Sequence, residues 1–372
     1  MQKAAYSVPY TAFGQETAEI RKELLGAVEG VIDGGRYILG PAVSSFEEEF
    51  AAYCQARWAV GIASGTCALH LVLHGLGLRE GDEVITAPNS FIASASTIAL
   101  AGARPVFVDV RQDGNIDPDR IEAAITPRTR ALMPVHLTGR PARMPEILDI
   151  AGRRNLFVLE DAAQAVGAKL DGRCVGSWGD AACFSLHPLK NLHAFGDGGM
   201  MTTNDRALYD RMVHARNHGL VNREQCDFWS FNCRLDELQA ALLRVQLRYL
   251  EARTESRRHL AFRYNDLLRP YVEVPDEGPG EYCVYQTYVV RAERRDELKR
   301  FLNDHGVEAL IHYATPIHLQ PAARSLGYSE KDFPATMRHV SRILSLPLYP
   351  SLTHAQQDRV AELVAIFYKG RA

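Results

Sequence analysis

Lys190 stands in the run Phe184-Ser-Leu-His-Pro-Leu-Lys190-Asn, just ahead of the glycine-rich stretch Gly196-Asp-Gly-Gly199. About thirty residues upstream lies Leu159-Glu-Asp161-Ala-Ala-Gln164. A lysine loses its proton readily when partly desolvated, and the free amine is a nucleophile. A lone lysine is ordinarily a surface residue. Here Ser185 and a loop of glycines, where backbone can approach a cofactor closely, point instead to a Schiff-base lysine. Its aldehyde partner would be pyridoxal 5′-phosphate (PLP), with Asp161 on the pyridine nitrogen. A carboxylate ending an apolar run must be paired or functional, although Asp161 could also cap a following helix. Glu160 faces the opposite way if this run is a strand.

PLP also needs a seat for its phosphate. Ser64-Gly65-Thr66 opens an apolar-periodic segment, and N–H groups at a helix N-terminus suit an anion. The plain alternative is a Ser/Thr cap. Ser185 adds a hydroxyl, and Phe91 is an aromatic that could stack on a cofactor ring. Rival chemistries lack their motifs. His70/His74 and His214/His218 have helical zinc spacing without the HExxH glutamate, so no metal is expected. No GxGxxG follows a strand, and there is neither a phosphate-loop GK[ST] nor a GxSxG elbow.

These residues need a frame. Apolar runs at 58–62, 82–86, 104–110, 131–135, 156–161, 181–185 and 200–203 read as strands. Helical stretches at 64–76, 90–101, 117–125 and 144–155 alternate with them. That pattern predicts an α/β domain with a mainly parallel sheet buried on both faces. Asp161, Ser185 and Lys190 all follow strands, where such sheets carry their functional loops. A helix is expected over 16–33 and a long connecting helix over 234–263. Beyond it, strands at 284–291 and 308–313 and helices at 296–305 and 354–368 suggest a small α+β domain. Residues 1–13 read as an extended arm and 275–281 as a loop.

Three hundred and seventy-two residues suffice for a large and a small domain. A net charge of −3 with no Lys/Arg block argues against nucleic-acid or anionic-membrane binding. No apolar run reaches spanning length, and the N-terminus shows no secretory h-region. Seven scattered cysteines without a CxxC pair suggest reduced thiols in the cytoplasm.

The segments Gly61-Ile-Ala-Ser-Gly-Thr-Cys-Ala-Leu-His-Leu, Gly81-Asp-Glu-Val-Ile-Thr, Pro105-Val-Phe-Val-Asp-Val, Ile125-Thr-Pro-Arg-Thr-Arg-Ala, Glu160-Asp-Ala-Ala-Gln-Ala, Cys183-Phe-Ser-Leu-His-Pro-Leu-Lys-Asn and Asn232-Cys-Arg-Leu-Asp-Glu-Leu-Gln-Ala occur in this order. Together they resemble the DegT/DnrJ/EryC1/StrS family of PLP-dependent sugar aminotransferases, from about Tyr10 to the C-terminus. The resemblance implies the aspartate-aminotransferase fold (fold type I), with a seven-stranded, mainly parallel sheet in a PLP-binding domain over 14–250. Residues 251–372, with the arm 1–13, would form the small α+β domain. It further implies a homodimer with shared sites and a Schiff base at Lys190. Asp161 would face the pyridine nitrogen and Gln164 the phenolic oxygen, with Phe91 stacked on the ring. Gly65, Thr66 and Ser185 would hold the phosphate, with Asn232 supplied by the other subunit. One subgroup carries histidine in place of the lysine and dehydrates sugars, so Lys190 favours amino transfer. Leu186 stands where an aromatic is common, and Cys67 where aspartate often sits.

Ala309-Leu-Ile-His-Tyr-Ala-Thr-Pro-Ile-His-Leu-Gln-Pro-Ala resembles the substrate loop of members acting on 3-keto nucleotide sugars, with Ala314 in place of a proline. His312, Tyr313 and His318 are thus candidates for contacts to sugar or diphosphate, or else packing residues of the small domain. The expected reaction moves the amino group of L-glutamate to a nucleotide-linked 3-keto-6-deoxyhexose. A 4-keto nucleotide sugar or a keto-cyclitol acceptor is the alternative, and a sugar dehydratase a more distant one.

Overall fold

The computed structural model describes residues 6–370. The first five residues of the expected arm lie outside them. The chain enters with Val8 bridged to Val307, then forms α1 (Phe13–Ala18) and α2 (Arg21–Gly34). The helix expected over 16–33 is therefore two, broken where Ile20 turns into the apolar contact with Leu242 and Val245. Next comes α3 (Pro41–Tyr53). Proline opens it, and Val43, Phe46, Phe50 and Ala51 form its buried face.

Strands and helices then alternate as β1 (Trp58–Ile62), α4 (Gly65–Gly75), β2 (Glu83–Thr86), α5 (Ala93–Leu100), β3 (Arg104–Phe107), α6 (Pro118–Ala124), β4 (Thr129–Met133), α7 (Met144–Arg154) and β5 (Phe157–Asp161). A small hairpin, β6 (Lys169–Leu170) and β7 (Arg173–Cys174), precedes β8 (Ala181–Ser185), β9 (Gly199–Thr203) and α8 (Arg206–Ala215). The main sheet has seven strands in the order β1-β9-β8-β5-β4-β2-β3. The β3, β2, β4, β5 and β8 neighbours pair parallel, and β9 runs antiparallel to both β8 and β1. Most residues in these strands are buried, as a sheet covered on both faces requires, and only the edge strand β3 is half open.

The long helix expected over 234–263 is α9 (Glu237–Leu247) and α10 (Leu250–Leu268). Arg234 is held extended by an antiparallel bridge to Ile62. The break at Arg248 and Tyr249 sits where both side chains reach Glu23 of α2. Strand β10 (Glu281–Tyr282) adds to β6, and β11 (Tyr288–Arg291) pairs antiparallel with a later strand. Residues 284–287 are not part of β11: Val284 N–H donates to Gly139 O, and Tyr285 has φ +45. After α11 (Arg295–Asp304), the expected strand at 308–313 is reduced to one bridge, Leu310 to Ser345. Glu308 N–H is already taken by Val8 O. The chain closes with α12 (Pro334–Arg342), β12 (Ile343–Leu346) and α13 (His354–Lys369). Strands β11 and β12 with α10, α11 and α13 enclose their own core around Tyr264, Tyr288, Leu298, Leu344 and Leu363, and Val8 packs into it. No helix among the described residues is long and apolar enough to cross a membrane.

Candidate active site

Lys190 sits in a turn after β8 that is fastened on several sides. Its N–H donates to His187 O (2.8 Å), Asn191 Nδ2 to Val284 O (2.9 Å) and Gln286 Nε2 to Leu189 O (3.0 Å). Desolvation lowers the Lys190 ammonium to about 8, against the opposing pull of the Asp161 carboxylate. An amine in that range is about a tenth free at pH 7, far more than an ordinary lysine, as a nucleophile and proton carrier needs.

Asp161 ends β5 and is 4% exposed. Its Oδ2 accepts from Ser94 Oγ at 2.7 Å and its Oδ1 from Ala163 N–H at 3.2 Å. Ser90 Oγ in turn donates to Ser94 Oγ (2.7 Å). Burial raises the Asp161 carboxyl above the ordinary range, and these donors, Lys190 and His136 work against that rise. Glu160 points to the opposite face, as alternation demands. There it accepts from the N–H groups of Gly176, Trp178 and Gly179 and from His136 Nε2. His136 Nδ1 accepts from Ala142 N–H (2.9 Å), which fixes the ring against Glu160. Ser94 carried no signal in the sequence, because a serine inside a helix does not announce a carboxylate two strands away.

Gln164 Oε1 accepts from Thr138 N–H (2.6 Å), which leaves Nε2 to donate toward the Tyr313 hydroxyl (3.4 Å). Tyr313 also faces Phe91, with ring centroids 5.6 Å apart, and Phe91 is 52% exposed. His312 Nδ1 pairs with Ser345 Oγ (2.9 Å), and Tyr10 lies 5.6 Å from its ring. Desolvation, with Lys190 adding to it, lowers His312 to about 4, so it is neutral. Burial, with Asp161 adding to it, holds the Tyr313 phenol up at about 12. Tyr10 is thus drawn into the site from the N-terminal segment, which the motif reading left out.

The Ser64 turn is both a cap and a cradle. Ser64 Oγ accepts from Cys67 N–H (3.1 Å). The Gly65 and Thr66 N–H groups have no partner among the described residues. A Cβ at Gly65 would lie 2.9 Å from Ser185 Cβ, and one at Gly199 only 2.3 Å from the Ser64 carbonyl carbon. Two glycines therefore let β8, β9 and the α4 turn close on one point, with the Gly65 N–H near Ser185, whose hydroxyl accepts from His187 N–H (3.3 Å). Asn232 is exposed, beside the segment whose Cys233 O accepts from Ala63 N–H (3.0 Å).

The structure thus gathers Lys190, Asp161, Gln164, His312, Tyr313 and Phe91, with Gly65, Thr66 and Ser185 as an anion seat. It does not bring His318 to them. That side chain is 2% exposed, its ring packed against Phe333 (4.7 Å) and Phe107 (6.5 Å). His70 and His74 stack on each other and meet Phe231 edge-on, while His218 is exposed. No metal-ligand cluster occurs among the described residues. The set fits PLP: a desolvated amine, a buried carboxylate with its own donors, an exposed aromatic face and a glycine-closed anion seat.

The DegT/DnrJ/EryC1/StrS aminotransferase family model matches residues 18–365. The chain belongs to this family of PLP-dependent aminotransferases, and its α/β architecture is the one expected of it. It is 42% identical to a pleiotropic regulatory protein of Geobacillus stearothermophilus, over 98% of this chain and 99% of that one. It is also 42% identical to the dTDP-3-amino-3,4,6-trideoxy-alpha-D-glucose transaminase of Streptomyces venezuelae, over 96% and 95% of the two chains. Among solved structures, DesV of S. venezuelae in complex with a ketimine intermediate matches with a TM-score of 0.95 and 41% identity, covering 98% of this chain and 99% of that one.

Proposed function

We propose that this enzyme transfers the amino group of L-glutamate to a nucleotide-linked keto-sugar in amino-sugar biosynthesis, and that the acceptor is a 3-keto-6-deoxyhexose. The observation that carries the proposal is the Gln164–Tyr313 contact, which joins the 3-keto-sugar-like loop to the group around Lys190 and Asp161. The transaminase relative from S. venezuelae, named for a 3-amino sugar, supports the same choice of carbon.

When bound, PLP supplies the electron sink that lets an amino group leave one carbon and join another. Lys190 would hold it covalently, and Gly65, Thr66 and Ser185 would hold its phosphate. Asp161 would keep the ring nitrogen protonated, and Gln164 would donate to the phenolic oxygen. Lys190 Nζ takes up and returns the proton at the reacting carbon, a role its lowered ammonium suits. The neutral His312 and Tyr313 would bind the acceptor by hydrogen bonding rather than by charge.

A homodimer is part of the proposal. Asn232 is exposed rather than folded onto its own Ser64 turn, and the same loop displays Trp229 with 88% of its surface free. Leu25, Ile32, Tyr37 and Ile38 add exposed apolar surface on and just after α2. The cytoplasm is its expected compartment, and all seven cysteines are free. A panel of 3-keto and 4-keto nucleotide sugars and a keto-inositol, each assayed with L-glutamate, tests the reading. Amino-sugar product from the 3-keto compounds is expected. Turnover of the keto-inositol alone, or dehydration without an amino donor, overturns it.

A further inference from the structure

Three arginines are buried among the described residues: Arg216, Arg257 and Arg295. Arg216 pairs with Glu47, and Arg295 with Asp296. Arg257 has no carboxylate within ion-pair reach among those residues. It projects from α10 and is only 8% exposed. Its hydrogen bond among these residues runs from Nη1 to Leu348 O (2.7 Å). A carbonyl accepts a hydrogen bond but does not balance a charge, and arginine keeps its charge when buried. A buried charge without a partner is costly. Burial pulls this guanidinium below its ordinary value, and the opposing pull of Glu16 and Tyr10 does not make up the difference.

Arg257 lines a cavity of about 20 Å³, whose wall also includes Tyr10, Glu16, Lys190, Thr287 and Tyr349. That volume admits one water-sized body. A phosphate or the carboxylate of an amino acid has too many heavy atoms to enter. Glu16 is the one acidic residue on the wall, and it makes no ion pair with Arg257. It is partly exposed, so solvent screens its charge. Arg253, one turn earlier on α10, adds a second guanidinium close by, with Nη2 donating to Glu16 O (2.9 Å).

We propose that this cavity is a halide site, in which one chloride-sized anion is the counter-ion of Arg257. A water also fits the volume, but it leaves the charge unbalanced. The wall is drawn from the N-terminal segment, the turn that carries Lys190, α10 and the chain that follows β12. An anion held there draws the Arg257 guanidinium into the junction of all four, and so braces the Lys190 turn against the small domain. The site takes no part in amino transfer, and it depends neither on the sugar acceptor nor on the phosphate assignment.

The test uses the full-length, PLP-loaded protein, freed of halide by dialysis into gluconate. Crystals grown with bromide should show an anomalous peak within hydrogen-bond reach of the Arg257 guanidinium. In solution the melting temperature should climb as chloride or bromide replaces gluconate at constant ionic strength, as ligand linkage requires. Arg257→Met should lose both the peak and the halide-dependent shift, and Arg257→Lys should keep a weaker shift. Glu16→Gln removes the repelling carboxylate and should bind bromide several-fold more tightly. A water at Arg257 with no anomalous peak overturns the proposal, as do equal melts in halide and gluconate. A halide shift undiminished in Arg257→Met overturns it too. Weaker bromide binding by Glu16→Gln would mean that Glu16 does not repel the anion, and that also overturns it. If Arg257→Met does not fold, the wild-type bromide map and the Glu16→Gln titration decide.

Discussion

Replacing Ser94 by alanine removes the hydroxyl that donates to Asp161 Oδ2 at 2.7 Å and leaves only the longer bond from Ala163 N–H. The carboxylate is buried, so no water stands ready to replace the lost donor. A hydrogen bond to a charged group contributes about 1.5–3 kcal/mol. At about 1.4 kcal/mol per pKa unit, its loss raises the Asp161 carboxyl by a further one to two units. The anion proposed to face the pyridine nitrogen weakens by the same energy, which corresponds to roughly a 10–100-fold slower donor half-reaction. Ser90 does not compensate, because it donates to Ser94 or to Phe91 O. The assay is single-turnover reaction of the PLP-loaded enzyme with L-glutamate, followed by absorbance across pH. Ser94→Thr keeps the hydroxyl and should restore most of the rate and the pH profile. Acceptor KM should change little, since the contact to the sugar loop is made by Gln164. A Ser94→Ala enzyme within twofold of wild type, with an unmoved pH profile, refutes the claim that Ser94 sustains the Asp161 charge.

Lys190→Ala should abolish transamination and the visible absorbance of bound PLP, and retained turnover without added amine would contradict its role. Tyr313→Phe should raise acceptor KM while leaving the glutamate half-reaction nearly unchanged; equal losses in both would place Tyr313 at the chemistry instead of the sugar. Gly199→Ala drives a Cβ into the Ser64 carbonyl carbon. It should cost about 1–3 kcal/mol of stability, as overpacking does, and weaken PLP binding, measurable by denaturant melts and absorbance titration. His193 is buried, and desolvation lowers it to about 4. Its depressed value means the unfolded chain takes the proton first as pH falls, so the penalty is absent above about 6.5, grows below it and is complete near 4. That amounts to about 3 kcal/mol from this one ring. Urea melts at pH 7 and 4.5 should show a smaller acid loss in His193→Gln, and an identical loss would place the acid sensitivity elsewhere.

The alternating core and the strand-end positions of Asp161, Ser185 and Lys190 were legible because period and burial are local properties of sequence. The errors fall where long-range contact overrides local pattern. Arg248 and Tyr249 sit in a continuous helical spacing, yet Glu23, more than two hundred residues away, draws both aside and divides the helix. Residues 308–313 alternate like a strand, but Val8 occupies the first pairing position. His318 shares its loop with His312 and Tyr313, and nothing in the residue types tells which ring faces Ser345 and which faces Phe333.

Ser94 and Tyr10 belong to the same class. Ser94 reaches the site because the sheet order places α5 near the end of β5, and Tyr10 because the N-terminal segment folds against Val307 and Glu308. The chemistry of Lys190 needs a carboxylate that stays charged while buried, and a lone aspartate at a strand end does not meet that need. The serine pair does, as a relay in which Ser90 donates to Ser94 and Ser94 donates to Asp161 Oδ2 before any cofactor arrives. The site's anion is therefore a property of three residues, from β5, α5 and the loop before α5, and the aspartate is the only one of the three that a motif can reveal.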